Sequence, residues 1–290
     1  MRQATYAAVV LALTLTVVKT GAWFATGSVA VLSSLIDSLL DALASLVNLV
    51  AVRHALEPAD AEHRFGHGKA EPLAALAQAA FIGGSGVFIL LEAAARLVDP
   101  RPVEHAAVGI AVMLFAIVAT SVLVWFQARV VRRSGSMAIG ADKLHYAGDL
   151  LMNAGVIASL AVSSWLGISW ADPIFGAAIA AYLMRGAFGI GRRALDMLMD
   201  RELPDEERWR ILRIVSDHPE VKGVHDLRTR GSGLRIFIQF HMILSPAMSL
   251  AEAHKVADQI EAKLLDAYPG AEILIHQEPA EPVGAEAPPR

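Results

Sequence analysis

Six long apolar segments constrain this chain more than any other feature of its sequence. They cover roughly residues 5–26, 29–52, 72–96, 105–129, 143–166 and 171–192. A membrane-spanning helix needs about 20 consecutive, mostly apolar residues, and the stretch 106–128 contains no charged residue at all. The sequence therefore predicts six transmembrane helices that cross a lipid bilayer.

The connections between these segments predict how the chain lies in the membrane. The connections 53–69 and 129–143 hold three and four Lys or Arg residues, whereas 27–28 and 166–172 hold none. Short cytoplasmic loops are enriched in Lys and Arg. The first apolar run lacks a small-residue cleavage site, so we interpret it as a retained helix. We expect a multi-pass protein of the inner (plasma) membrane with both termini cytoplasmic.

The last third of the chain has a different composition. The net charge of −4 comes entirely from the last 90 residues, and the patterns there follow the order α-β-β-α-β, which suits a small sheet with helices on one face. We therefore expect a transmembrane domain at 1–202, a cytoplasmic α+β domain at 203–278 and a disordered tail at 279–290. The mild acidity gives no sign of nucleic-acid binding, and the absence of Cys excludes thiolate metal sites.

Two apolar segments carry paired ionisable residues four positions apart. The second contains Asp37 and Asp41, and the fifth contains His145 and Asp149. Residues i and i+4 lie on one face of a helix. A charged side chain at the bilayer centre costs roughly 2.5–3.5 kcal/mol on insertion scales. Isolated polar contacts are the alternative, but two matched pairs predict a transmembrane site where three carboxylates and one imidazole bind a divalent cation such as zinc.

Two further groups of candidate ligands lie outside the apolar segments. The connection after the second segment contains Asp60, His63 and His67, whose spacing could close around one metal ion or could belong to a solvated polar loop. The C-terminal region contains four histidines on three predicted strands and one helix, and each of them alone could be an ordinary surface residue. They are His225, His241, His254 and His276, and Glu278 shares a strand face with the last of them.

These motifs give the chain a family resemblance from about residue 5 to 280. The stretches "SLIDSLLD", "HRFGHGKAE", "HYAGDLLMN", "IQFHM" and "ILIHQEP" resemble the cation diffusion facilitators, and among them the bacterial branch that exports ferrous iron and zinc. The resemblance implies a six-helix transporter with a metallochaperone-like cytoplasmic domain. It also implies a homodimer that exchanges divalent metal ions for protons.

Residue by residue, the resemblance assigns a role to each group of candidate ligands. Asp37, Asp41, His145 and Asp149 match the family's transport site, and Asp60, His63 and His67 match a second site. The C-terminal histidines match a two-metal cluster, where Glu278 stands in place of the family's Asp and could move the metal by one methylene. Lys69 and Asp200 match a salt bridge near the family's dimer contact.

The sequence therefore predicts a proton-coupled exporter of Zn²⁺, with Cd²⁺ or Fe²⁺ as alternatives, that works by alternating access. A membrane-bound metal sensor without net transport is the alternative from another class, and it predicts binding without flux. An intramembrane metallohydrolase is disfavoured because the chain has no HExxH motif. We do not expect an enzyme.

Overall fold

The computed structural model describes residues 1–26, 29–98, 107–166 and 171–280. The chain divides into two compact units, Met1–Leu195 and Asp196–Arg290. We refer to them as the N-terminal and C-terminal units. Most of the predicted tail, from residue 281 onward, lies outside the described residues.

The N-terminal unit is built from long helices, the last of which ends at Leu198, just beyond the boundary between the two units. In the described residues they are α1 (Arg2–Thr26), α2 (Val29–Ala55), α3 (Ala70–Val98), α4 (Ala107–Ser134), α5 (Met137–Leu166) and α6 (Ala171–Leu198). At 1.5 Å per residue each is about 40 Å long, more than the ~30 Å hydrocarbon core of a bilayer. Five are long and apolar enough to cross a membrane over their described residues, and α5, which carries His145 and Asp149, is the exception. The predicted helical membrane fold is confirmed.

The outer surface of these helices is apolar. Phe24, Phe88 and Phe188 are 78%, 70% and 74% exposed. Such exposure would be unfavourable in water but is normal against lipid chains, where apolar side chains need no protein cover. The helices therefore present a lipid-facing surface.

Small residues line the contact between α3, α5 and α6. Its buried core contains Ala75 and Ala79 of α3, Ala141 of α5, and Ala187 and Ala194 of α6. Without a hydrophobic driving force inside a bilayer, helices associate through close van der Waals packing, which small residues allow. At Gly186 of α6, an added Cβ would lie 2.6 Å from the Leu144 side chain of α5.

A tight turn sets the start of α5. Gly135 has a φ of +67°, and its N–H donates to the Val131 carbonyl at 2.8 Å, as in many helix C-terminal caps. The Ser136 hydroxyl then accepts the Ile139 N–H at 3.3 Å, which satisfies one free donor of the new helix. This turn fixes where His145 and Asp149 fall along α5.

The C-terminal unit has the predicted α-β-β-α-β order. Its elements are α7 (Asp205–Ser216), β1 (Gly223–Ser232), β2 (Arg235–Leu244), α8 (Leu250–Ala267) and β3 (Glu272–Pro279). The sheet order is β1-β2-β3, with β1 antiparallel and β3 parallel to the central β2. The predicted α+β fold is confirmed.

The core of this unit lies between β2 and the two helices. Alternate residues of β2, including Ile238 and Phe240, pack with Ile211 of α7 and with Ile260 and Leu264 of α8. Because successive strand residues point to opposite faces, the side chain of His241, which directly follows Phe240, lies on the other face. The face away from the core is therefore the one that carries the histidines.

Candidate metal centres

The first candidate centre lies between α2 and α5. The Nε2 atom of His145 is 2.9 Å from Oδ1 of Asp41 and 3.8 Å from Oδ2 of Asp149. One candidate ligand atom from each residue lies within 4.8 Å of the others. His145 is buried, and its ring makes edge contacts with Phe81 and Tyr146. The structure thus brings together three of the four residues predicted for the transmembrane site.

Asp37 lies one helical turn before Asp41 on α2, and its side chain is exposed. It does not belong to the group of ligand atoms within 4.8 Å that Asp41, His145 and Asp149 form. The i, i+4 spacing correctly predicts a shared helix face but not this difference, because the difference arises from contacts with α5. The role of Asp37 as a fourth ligand stays a prediction.

Lys19 of α1 is a functional candidate that the sequence reasoning missed. Its ammonium donates to the Ser34 carbonyl at 3.0 Å and to the Ser38 hydroxyl at 2.7 Å. It also interacts electrostatically with Asp41 and Asp149. The available signal was a single Lys within an otherwise apolar helix, which indicates a nearby countercharge.

A second missed feature lies three residues before His145. Asp142 is only 1% exposed, and its Oδ2 accepts a 2.6 Å hydrogen bond from the Gln127 side chain of α4. The Tyr146 hydroxyl hydrogen-bonds to the Ser45 hydroxyl of α2 at 2.7 Å. These polar contacts join α5 to α2 and α4 beside the first centre.

The second candidate centre lies in the connection between α2 and α3. Asp60 Oδ1 accepts the backbone N–H groups of His63 at 2.6 Å and Glu62 at 2.9 Å. These hydrogen bonds hold the pKa of the Asp60 carboxyl below its ordinary value, and the bond from His63 has the larger effect. Its other oxygen is 3.3 Å from Nε2 of His67, and the ligand atoms of Asp60, His63 and His67 lie within 4.8 Å of one another. The structure therefore brings all three predicted loop residues together.

The third candidate centre lies on the free face of the sheet. Strand register places His225 opposite His241, and His241 opposite His276. One oxygen of Glu278 is 2.9 Å from His225 Nε2, and the other is 2.7 Å from His241 Nδ1. Hydrogen bonds with His225 and His241 lower the pKa of the Glu278 carboxyl, and the bond with His225 has the larger effect. His276 Nε2 lies 3.5 Å from the same carboxylate.

His254 is the C-terminal histidine that lies apart from this group. It is on α8, its side chain is 71% exposed, and its Nε2 is 3.7 Å from Asp258. It lines an open surface pocket together with Gln277 of β3. Within one chain, the ligand group on the described sheet consists of His225, His241 and Glu278, so the role of His254 stays a prediction.

The two residues of the predicted salt bridge belong to different units. Lys69 directly precedes α3, and Asp200 follows α6. Asp200 adopts a φ of +55° and accepts a hydrogen bond from Arg230 at 3.3 Å. The pairing of Lys69 with Asp200 stays a prediction.

Comparison with known families covers both units. Residues 5–199 match the cation efflux transmembrane domain, and residues 203–280 match the cytoplasmic domain of cation efflux proteins. A solved structure of the protein CzrB is 37% identical to this chain, with a TM-score of 0.27, and covers 27% of this chain and 99% of that one.

Relatives that align with nearly the whole chain are also cation efflux proteins. The cation-efflux pump FieF of Yersinia enterocolitica is 49% identical over 96% of this chain and 93% of its own length. FieF of Klebsiella pneumoniae is 47% identical over 98% of this chain and 94% of its own length. These matches indicate a multi-pass membrane transporter of cations rather than an enzyme. The chain belongs to the cation efflux family, the cation diffusion facilitators.

Proposed function

We propose that this protein exports divalent metal ions, with Zn²⁺ as the main substrate, in exchange for protons. The observation that carries the proposal is the group Asp41, His145 and Asp149, held between α2 and α5 with ligand atoms within 4.8 Å of one another. One imidazole and two carboxylates form a donor set that suits Zn²⁺, and Cd²⁺ or Fe²⁺ are the next candidates. Asp37 is the proposed fourth ligand, recruited by a small movement along α2.

The contact between His145 and Asp41 supports proton exchange. A 2.9 Å hydrogen bond between His145 Nε2 and the Asp41 carboxylate requires a proton on one of the two atoms. Ligation of a metal ion by both atoms requires that proton to leave, because metal ligands bind in their deprotonated form. Proton and metal therefore compete for the same pair of atoms, which is what an exchanger needs.

Alternating access would complete the transport cycle. From the cytoplasmic side the site binds metal and releases protons, and after a helix movement protons displace the metal on the other side. Lys19 of α1, which interacts electrostatically with both Asp41 and Asp149, would limit the excess negative charge between these steps. No step in this cycle forms or breaks a covalent bond other than those to protons.

We assign supporting roles to the remaining candidate residues. The Lys- and Arg-rich connections favour cytoplasmic termini in the inner membrane. The C-terminal unit would mediate a homodimer and bind metal through His225, His241 and Glu278, with His254 and His276 as further ligands. The Lys69–Asp200 pair would act near the dimer contact.

Uptake of metal into proteoliposomes tests the transport proposal. With an imposed pH gradient, acidic inside for protein oriented to take up metal, we expect Zn²⁺ flux that stops when the gradient is dissipated. Asp41→Ala should abolish flux but leave folding and insertion intact, as judged by size-exclusion elution. Zn²⁺ binding without flux in the parent would instead identify a membrane metal sensor.

A further inference from the structure

Two side chains at the end of α2 lie outside the predicted loop site but adjoin it. His54 is in the last turn of α2, and Glu57 follows in the next turn, where its N–H donates to the His54 carbonyl at 3.0 Å. Nδ1 of His54 is 2.8 Å from Oε2 of Glu57. An imidazole and a carboxylate are thus held together at the entrance to the α2–α3 connection.

His67 joins this pair to the loop site. Its ring centroid lies 4.4 Å from that of His54 and 4.5 Å from that of His63. One ligand atom each from His54, Glu57 and His67 lies within 4.8 Å of the others, as holds for Asp60, His63 and His67. The ligands of a tetrahedral zinc site are about 3.4 Å apart, so modest side-chain rotation would close either group around an ion.

The surroundings of His67 leave one of its two ring nitrogens available for a ligand. Its side chain is 4% exposed, and its Nε2 is 3.3 Å from Asp60. In the part of the chain that the structure describes, its Nδ1 is buried and has no hydrogen-bond partner. A buried polar atom without a partner is unfavourable unless something binds it, and a metal ion is one such partner.

We propose that His54 and Glu57 form, with His67, a second divalent-metal site that is an alternative to the Asp60–His63–His67 site. A neutral imidazole has one lone pair for metal ligation, so His67 can bind one ion at a time. The connection therefore holds one ion that occupies either group. Both groups supply two imidazoles and one carboxylate, so they bind the same ions with similar affinity, and the ion exchanges between them around His67.

A simpler role for His54 makes a different prediction. A cationic side chain in the last turn of a helix interacts favourably with the helix dipole, and an i, i+3 pair with Glu57 would add to this. That role needs only a positive charge. His54→Lys keeps the charge and the pair with Glu57 but removes the metal ligand, because a Lys ammonium has no lone pair at neutral pH.

Equilibrium dialysis of the purified full-length protein against buffered free Zn²⁺ tests the proposal. We expect Asp60→Asn/His63→Gln and His54→Gln/Glu57→Gln each to keep the parent's number of zinc ions per protomer. Each should bind the loop ion about twofold more weakly, because one of two equivalent alternatives remains. Combining all four substitutions should remove one ion per protomer. Binding is measured without flux, so the result does not depend on proton exchange.

The decisive variant adds His54→Lys to the Asp60→Asn/His63→Gln background, where we expect the loop ion to be lost. The proposal is wrong if Asp60→Asn/His63→Gln alone already loses one ion, or if His54→Lys in that background keeps it. Should that background fold poorly, Asp60→Asn alone can replace it, because the amide oxygen still accepts the backbone hydrogen bonds of the loop. Size-exclusion elution and retention of the other zinc ions identify folded variants.

Discussion

At the scale of single residues, His145 supplies the only nitrogen ligand in the group with Asp41 and Asp149. Imidazole favours zinc over harder ions, whereas a site made only of oxygen atoms suits manganese. We therefore expect His145→Asp to broaden transport toward Mn²⁺ and to change how strongly flux depends on the pH gradient. Competition among Zn²⁺, Cd²⁺ and Mn²⁺ in the same proteoliposomes measures the first effect.

A matched control separates ligation from packing at this position. His145→Asn has the same shape as His145→Asp but lacks its negative charge, as well as the imidazole of the parent, and we expect it to lower flux of every metal. If His145→Asp also lowers all three fluxes in proportion, with the ranking of metals unchanged, His145 does not determine selectivity.

The sequence predicts some of these residues because their signal is local. His145 and Asp149 are one helical turn apart, so their shared face follows from the helical repeat alone. The hydrogen bond from Gln127 to Asp142 could not be predicted, because it depends on how α4 packs against α5. The contact of His54 with His67 likewise requires the connection to fold back on the end of α2.

At the scale of elements, α8 begins with a complete capping box. The Ser249 hydroxyl accepts the Glu252 N–H at 3.3 Å, and the Glu252 carboxylate accepts the Ser249 N–H at 2.8 Å. Loss of an N-cap side chain costs about 1 kcal/mol. We expect Ser249→Ala to lower the free energy of unfolding of the 203–280 fragment by about that amount in urea. Ser249→Asp, which keeps a capping oxygen, should lower it less.

The same cap gives a pH dependence with a defined sign. Hydrogen bonds from the Ser249 side chain, then from its backbone, lower the pKa of Glu252 below its ordinary value. A depressed carboxyl pKa stabilises the folded state at neutral pH, and this contribution is lost as the pH falls below the ordinary value. We therefore expect Glu252→Gln to destabilise the fragment at pH 7 more than at pH 3. An equal effect at both values would contradict this assignment.

The order of elements was predictable because each has its own signal, the apolar length of a membrane helix or the alternation of a strand. The alignment of three histidines was not. His225, His241 and His276 are neighbours only because β2 pairs antiparallel with β1 and parallel with β3. Register depends on pairing across the sheet, and a shift of one residue would turn His241 toward the core.

At the scale of the whole molecule, the C-terminal unit has its own core within residues 203–280. We therefore expect these residues to form a soluble fragment that dimerises and binds divalent metal. Histidine ligands must be neutral to bind metal, so Zn²⁺ affinity should fall by at least tenfold as the pH drops from 7.5 to 5.5. Titration calorimetry measures this. Absence of any binding heat at pH 7.5 would mean that Glu278 and its neighbours do not form a metal site.

The contact between α3, α5 and α6 has a mechanical consequence. Five of its nine described buried residues are Ala, and Gly186 lets the Leu144 side chain of α5 pack closely against α6. Alanine has no side-chain rotamers to rearrange, so these five positions offer little resistance when one helix moves along another. If one helix shears along its neighbours, the side chains that must rearrange are those of the four larger buried residues, Ile82, Leu144, Leu183 and Ile190. Larger side chains at Ala187 or Ala194 would add to this resistance and hold the three helices in one conformation.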